Sequence, residues 1–327
     1  MSVLLMTRRA GGAAASNVFL GASLPRETYA PAYSLPAGTV RTVASGANLQ
    51  TTLNAAQPGD VVVLEDGATW DGTYTLPDKT GSANTPIYVI SNAIYTGTGV
   101  AAGVRATSIS GLPRIRTNNV SVPALRSDGT GETGWRFVGI GFGSSLGTTA
   151  TNCWVNIGND GTAPGPNRTG YVTFDRCVFE GGTNVPVRQA LRFRSVHHVY
   201  VTECSFNSVI NINDTGDCQC IGIFGTSNVG KIDNCFLGGA TEGIAFGDGT
   251  TVFTLVSDFW VRRCYITHYE WQDPTHGTWT GTYYELKNAI EWKGGTRCLI
   301  EDCAIGFTMT QDNQSAIVIK STEGSAT

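Results

Sequence analysis

Apolar and polar positions alternate in an eight-residue phrase that returns six times. It reads W-R-F-V-G-I-G-F at Trp135–Phe142, V-T-F-D-R-C-V-F at Val172–Phe179 and V-Y-V-T-E-C-S-F at Val199–Phe206. It returns as G-K-I-D-N-C-F-L at Gly230–Leu237, F-W-V-R-R-C-Y-I at Phe259–Ile266 and C-L-I-E-D-C-A-I at Cys298–Ile305. Three columns are apolar throughout: Phe137 to Ile300, Ile140 followed by Cys177, Cys204, Cys235, Cys264 and Cys303, and Phe142 to Ile305. Successive cysteines of the second column are 27, 31, 29 and 39 residues apart. A constant phrase at unequal spacing predicts fixed rungs joined by variable loops. That is a solenoid, in which each repeat buries its apolar face against its neighbours.

The phrases are short and rich in β-branched and aromatic residues, which predicts strands rather than helices. A second phrase follows the later ones: Q-A-L-R-F-R at Gln189–Arg194, Q-C-I-G-I-F at Gln219–Phe224 and E-G-I-A-F-G at Glu242–Gly247. N-A-I-E-W-K at Asn288–Lys293 and S-A-I-V-I-K at Ser315–Lys320 continue it. Its third and fifth positions are apolar and point inward, so the fourth and sixth point outward. Two strand columns per turn, with room for a third, predict an all-β chain. The expected fold is a single-stranded parallel β-helix, right-handed by the general rule for parallel crossovers. A short N-terminal capping helix is expected at Ala47–Ala56, where Leu49 and Leu53 share a face and Ser45 is a possible N-cap. Val61–Leu64, after Pro58-Gly59-Asp60, reads as the first strand. Residues 1–39 are expected to form a flexible arm or attachment peptide, and 40–327 the β-helix, whose C-terminal end has no visible cap.

Composition narrows the functions. The chain has 327 residues, 15% of them charged, 41 glycines and a net charge of −4. A single solenoid accounts for its length, and no basic field exists to hold nucleic acid. No apolar run is long enough for a membrane-spanning helix. At the N-terminus the arginine pair follows a very short apolar run, unlike a secretory signal. Five of the nine cysteines fall in one inward column, where they act as small buried hydrophobes. Unpaired thiols predict folding in a reducing compartment.

Chemistry is expected on the outer wall of the second strand column. Its fourth position carries Arg192, Gly222, Ala245, Glu291 and Val318, and its sixth carries Arg194, Phe224, Gly247, Lys293 and Lys320. The first position, with Gln189, Gln219, Glu242, Asn288 and Ser315, is a polar ladder at the turn. Lys293, Glu291 and Arg192 are the catalytic candidates. Eliminative cleavage of a uronic-acid polymer needs a base beside the carboxylate-bearing carbon and a cation to neutralise that carboxylate. Asp217 and Glu242 are candidate oxygen ligands for Ca²⁺. Hydrolysis by two carboxylates is disfavoured, because no two acidic residues are expected to meet on facing rungs. Arg194 and Lys320 are expected to contact substrate, as are Trp271, Trp279 and Tyr283 in the insertion that follows Cys264. Aromatic rings stack on sugar faces, and they also pin loops to a scaffold. The alternative for the charged residues is a solvated surface. The His197-His198 pair is expected just before a strand, with one of the two a turn residue.

The stretch from about Tyr171 to Ser321 resembles right-handed β-helix proteins of the pectate-lyase-like superfamily. The resemblance rests on V-T-F-D-R-C, V-H-H-V-Y-V-T-E-C, D-C-Q-C-I-G, E-G-I-A-F-G-D and K-N-A-I-E-W-K-G-G-T-R-C-L-I-E-D-C. L-Q-T-T-L-N-A-A-Q-P-G-D-V-V-V-L-E-D-G-A-T-W-D-G-T-Y-T-L-P resembles the capping segment of that family. Glu291-x-Lys293 is similar to the site strand of alginate and chondroitin lyases, which implies a lysine, a nearby arginine and a carboxylate-bound Ca²⁺. Asp248 and Cys303 depart from the glycine and asparagine usual in that family. Two main functions are expected. One is a virion-associated tail-spike or tail-fibre component that folds in a host cytoplasm and binds, or also depolymerises, a host surface polysaccharide. Such a spike would be a homo-oligomer, usually a trimer, or would have another virion protein over its C-terminal end. The other is a secreted bacterial polysaccharide lyase. A purely structural β-helix is the third alternative.

Overall fold

The computed structural model describes residues 3–6, 24–79, 85–127, 131, 133–159, 168–181, 185–211, 216–247, 256–279, 281–282, 284–306 and 315–319, and structural statements concern these. Three parallel sheets build the molecule, and the strands cycle through them so that sheet neighbours are three strands apart in sequence. One coil runs through Gly170–Asp175, Val178–Glu180 and Val187–Arg194, and the next through His197–Thr202, Ser205–Asn207 and Gln219–Phe224. The first sheet carries the strand at the head of each octet, the second sheet its tail, and the third sheet the second phrase. This is the parallel β-helix expected from the repeats.

The phrases stack in the expected register. Phe137, Phe174, Val201, Ile232, Val261 and Ile300 are successive partners in the first sheet. Inside, Phe137 stacks on Phe174 and Phe142 on Phe179, both with centroids 5.1 Å apart, and Phe179 lies on Phe206 at 4.3 Å. Cys177, Cys204, Cys235 and Cys264 are buried in the core and Cys303 is half-buried at the end of their column. Side chains buried on every rung make this interior the main source of stability.

The corner between the first and second sheets has a cause invisible to hydropathy. Arg176, Glu203, Asn234, Arg263 and Asp302, each just before a column cysteine, have φ between 51° and 57°. One left-handed residue turns the chain sharply, at a cost of about 1–2 kcal/mol for a residue with a Cβ. Coil-to-coil bonds offset it: the amides of Arg176, Glu203 and Asn234 each donate to the next coil, at 3.0 Å, to Thr202, Asp233 and Arg262 carbonyls.

The N-terminal cap differs in detail from expectation. The helix is Leu49–Ala55, and its N-cap is Asn48, whose Oδ1 accepts from the Thr51 amide at 3.1 Å. Ser45 does not cap it: the helix starts at Leu49, three residues later than a Ser45 N-cap would place it, and the Ser45 amide donates to Glu65 Oε2. Leu49 and Leu53 face the core as expected. Val61–Leu64 is not the first strand: Val40–Val43 pairs with it, and Val3–Met6 pairs in parallel with Cys298–Glu301 at the other end of the same sheet. His197 and His198 lie within the strand His197–Thr202 rather than before it, and His198 takes a left-handed φ of 53°.

Residues 26–39 run along the outer face of the first sheet, crossing its strands. The Arg26 amide donates to Asp258, Glu27 meets His198, the carbonyls of Pro31 and Ala32 accept from Arg136, and Tyr88 Oη donates to the Ser34 carbonyl. The Thr39 amide closes the strap on Asp60. Each contact falls on a different coil.

Candidate functional site: a carboxylate and lysine cluster on the third sheet

The third sheet departs from strict alternation. On four of its coils two consecutive residues belong to the core: Trp154 with Val155, Ala190 with Leu191, Cys220 with Ile221, and Ala289 with Ile290. Strand pairing passes over the first member, joining Gln189 to Gln219 and then Leu191 to Ile221. Gly243 fills this position on the next coil, where a Cβ would lie 2.3 Å from Ile266 Cγ2, so only glycine fits. The preceding residue is thereby turned to the outer wall. Gln189, Gln219 and Glu242, expected at a turn, lie on the wall beside the fourth-position residues.

That shift brings acids together. Asp217, Glu242 and Glu291 each offer a carboxylate oxygen within 4.8 Å of the others. The expectation that no two carboxylates meet on facing rungs is therefore wrong, and the stacked break in alternation is the reason. Glu242 is fully buried and Glu291 is 1% exposed, although both lie on the outward side of their strands. Lys293 Nζ is 2.7 Å from Glu291 Oε2, and Lys287 bridges Asp217 and Glu285.

Charge crowding sets the protonation. Burial first, and then Glu291 and Asp217 close by, push the Glu242 carboxyl from 4.5 up to about 8, so it keeps its proton at neutrality. Burial works against the charge on Lys293, but the Glu291 contact and the neighbouring acids carry its pKa above the ordinary lysine value. Lys287 behaves likewise beside Asp217 and Glu285.

The hydrogen bonds extend the cluster along the wall. Arg192 Nε donates to Asn156 Oδ1 at 2.6 Å and its Nη1 reaches Gln189 Oε1 at 3.5 Å. Gln189 Nε2 donates to Gln219 Oε1 at 2.7 Å, and Gln219 Nε2 donates to Glu242 Oε2 at 2.9 Å. Among the described residues no donor reaches the other oxygen, Glu242 Oε1.

These positions sort the candidates from sequence. Glu291, Lys293, Asp217 and Glu242 form one site. Arg192 stands three rungs from Glu291 in the register, about 14 Å at the usual strand spacing, and reaches the acids only through the glutamines. Arg194 packs its guanidinium over the Phe224 ring at 5.5 Å. Trp271 is stacked on Tyr269 at 5.2 Å and meets the edge of buried Tyr284, so it pins the insertion. Trp279 is 41% exposed, its indole N–H donating to the Thr282 carbonyl. Lys320, Tyr283 and Asp248 lie outside the described residues. Lys287 and Glu285 were missed because they precede the strand phrase, inside the insertion.

The cluster fits a hard divalent cation in its donor set, which is all carboxylate oxygen and includes Glu242 Oε1, buried with no donor on it among the described residues. Lys287 and Lys293 already balance two of the acids, but their side chains are 20% and 22% exposed and can turn to solvent.

No family model matches the sequence, and neither does any curated protein. Among solved structures the chain is similar to pectate lyase Pel9A, with a TM-score of 0.50 and 12% identity over 82% of this chain and 62% of that one. It is similar to an alginate lyase from Paenibacillus sp. str. FPU-7, with a TM-score of 0.48 and 15% identity over 85% and 74%. A mannuronic-acid-specific family 6 polysaccharide lyase from human gut microbiota gives 0.46 and 12% over 82% and 59%. At such identities the likeness to the pectate lyase shows the fold alone, a parallel β-helix.

Proposed function

We propose that the chain is a polysaccharide-active β-helix protein whose third wall cuts a uronic-acid polymer by β-elimination. The observation that carries this reading is the meeting of three carboxylates within 4.8 Å of one another with Lys293 and Lys287 at their lip. The shared fold with a pectate lyase, an enzyme named for a polyuronate, supports the substrate class. In this reading Lys293 would be the base that takes the proton next to the substrate carboxylate, and Lys287 the cation that neutralises that carboxylate. A divalent ion held by Asp217, Glu242 and Glu291 would discharge the acids that keep Lys293 protonated.

A second reading rests on the separation of protonation between neighbouring acids. Glu242 holds a proton at neutrality beside Glu291, which is ion-paired, and such a pair is the arrangement for acid/base hydrolysis. One assay separates the two. With polyuronates as substrates, elimination gives an unsaturated product that absorbs in the ultraviolet, lost in Lys293→Ala and in chelator. New reducing ends without that absorbance mean hydrolysis, and neither signal across the panel removes both readings. Carried on a virion spike, the same wall would grip a host polysaccharide; a trimeric solution mass supports that setting, and a monomer supports a bacterial enzyme.

A further inference from the structure

The chain of hydrogen bonds from Arg192 to Glu242 has a fixed direction. The guanidinium at one end only donates, which sets the direction, and Glu242 Oε2 accepts at the other. The two amides between them can satisfy both ends in one orientation alone, with each carbonyl oxygen toward Arg192 and each NH₂ toward Glu242. Amide orientations are assigned from such networks, and here the arginine end decides it. Asn156 holds the far end, accepting from Arg192 Nε while its own amide donates to the Gly158 carbonyl at 3.2 Å.

The consequence falls on Glu242. Gln219 occupies Oε2, so Oε1 is the oxygen left to complete the cluster with Asp217 and Glu291, and it is buried with no donor on it among the described residues. Gln219 is 5% exposed and Gln189 9%, so solvent does not substitute for either amide. We propose that Gln219 and Gln189 are positioning residues that present Glu242 Oε1 to a divalent cation, and that Arg192 acts on the site only through them. This deepens the reading of the cluster given above and rests on its being a binding site, but not on the reaction it performs.

The test is calorimetric titration with calcium ion, alongside thermal unfolding. Gln219→Met keeps the side-chain volume and removes both hydrogen bonds. It is expected to lower calcium affinity about ten-fold or more, as removal of a residue supporting a metal ligand does, in a protein that still unfolds cooperatively at a Tm lowered by the two polar groups left unpaired. Arg192→Met is expected to act in the same direction but less, with Arg192→Lys between it and the parent. Arg116→Gln, at an ion pair with Asp71 on the second sheet, is expected to change nothing. Such a gradient along the chain is not what a packing role would give. Calcium affinity in Gln219→Met within two-fold of the parent, or no calcium binding by the parent, would overturn the proposal. Gln219-sensitive calcium binding without cleavage of any polyuronate would instead remove the lyase reading and leave this one standing.

Discussion

The outer walls of the first and third sheets are made of the same materials and behave in opposite ways. On the first wall the buried carboxylates are met by cations: Asp258 by Arg297, and Asp175 and Asp233 by two each. Asp175 lies between Arg136 at 2.7 Å and Arg176 at 2.8 Å, and Asp233 between Lys231 at 3.0 Å and Arg263 at 2.8 Å. Burial alone would raise the pKa of Asp233, but Arg263 and Lys231 hold it below the usual aspartate value. The rings of Tyr33 and Trp260 cover the cations, with Arg176 Cζ 4.4 Å and Lys231 Nζ 4.6 Å from their centroids, and residues 26–39 strap the surface. On the third wall acids crowd acids: burial, then the hydrogen bond and charge of Glu291, keep Glu242 protonated, and among the described residues no donor reaches its Oε1. A wall whose charges are saturated holds coils together. One whose charges are frustrated has something left to bind.

Variants on each wall sharpen the contrast. The largest effect is expected from Asp175→Ala, which leaves the buried guanidiniums of Arg136 and Arg176 without their shared carboxylate. A loss of about 3–5 kcal/mol is expected, measured as a lower denaturant midpoint at unchanged slope. A loss near zero would mean that the first wall is not held by its ion pairs.

Next in size is the pH dependence, which should have opposite sign on the two walls. The folded-state pKa of Glu242 is raised, so its contribution to stability is full below pH 4.5 and is lost as pH climbs to about 8. Glu242→Gln should flatten that decline, as followed by denaturant unfolding across the same window. The pKa of Asp233 is depressed, so its contribution is full above pH 3.8 and is lost as pH falls further. An unchanged alkaline decline in Glu242→Gln would show that the proton is not on Glu242.

The smallest effect is expected from Arg263→Gln. Its side chain is 52% exposed and Lys231 still covers Asp233, so a cost below about 1 kcal/mol is expected in chemical denaturation. A larger cost would mean that the exposed cation, not the buried one, holds Asp233.

Much of the fold was legible because burial repeats. The octets place the first two sheets, and the second phrase places the third, since side chains lining a tube must be apolar on every coil. The left-handed corner was not legible: Arg176, Glu203, Asn234, Arg263 and Asp302 share a backbone angle and no side-chain chemistry. The site was half legible. Glu291 and Lys293 follow from alternation, and Asp217 and Glu242 from their oxygen chemistry. The contact between Glu242 and Glu291 was hidden, because strict alternation puts Glu242 on the wrong side of its strand. Two inward residues in succession on the neighbouring coils reverse it, and the small residues Ala190, Cys220, Gly243 and Ala289 are the one trace of this in the sequence. Lys287 reaches Asp217 from a loop, where no periodicity operates.

The division of labour between the walls is tested most directly by calorimetric titration of uronate oligosaccharides into the parent protein, Lys293→Ala and Lys231→Ala. The account predicts that Lys293→Ala abolishes the binding heat, while Lys231→Ala, a first-wall variant, lowers stability and leaves affinity unchanged. Equal binding by all three proteins, or loss of binding in Lys231→Ala alone, would contradict it.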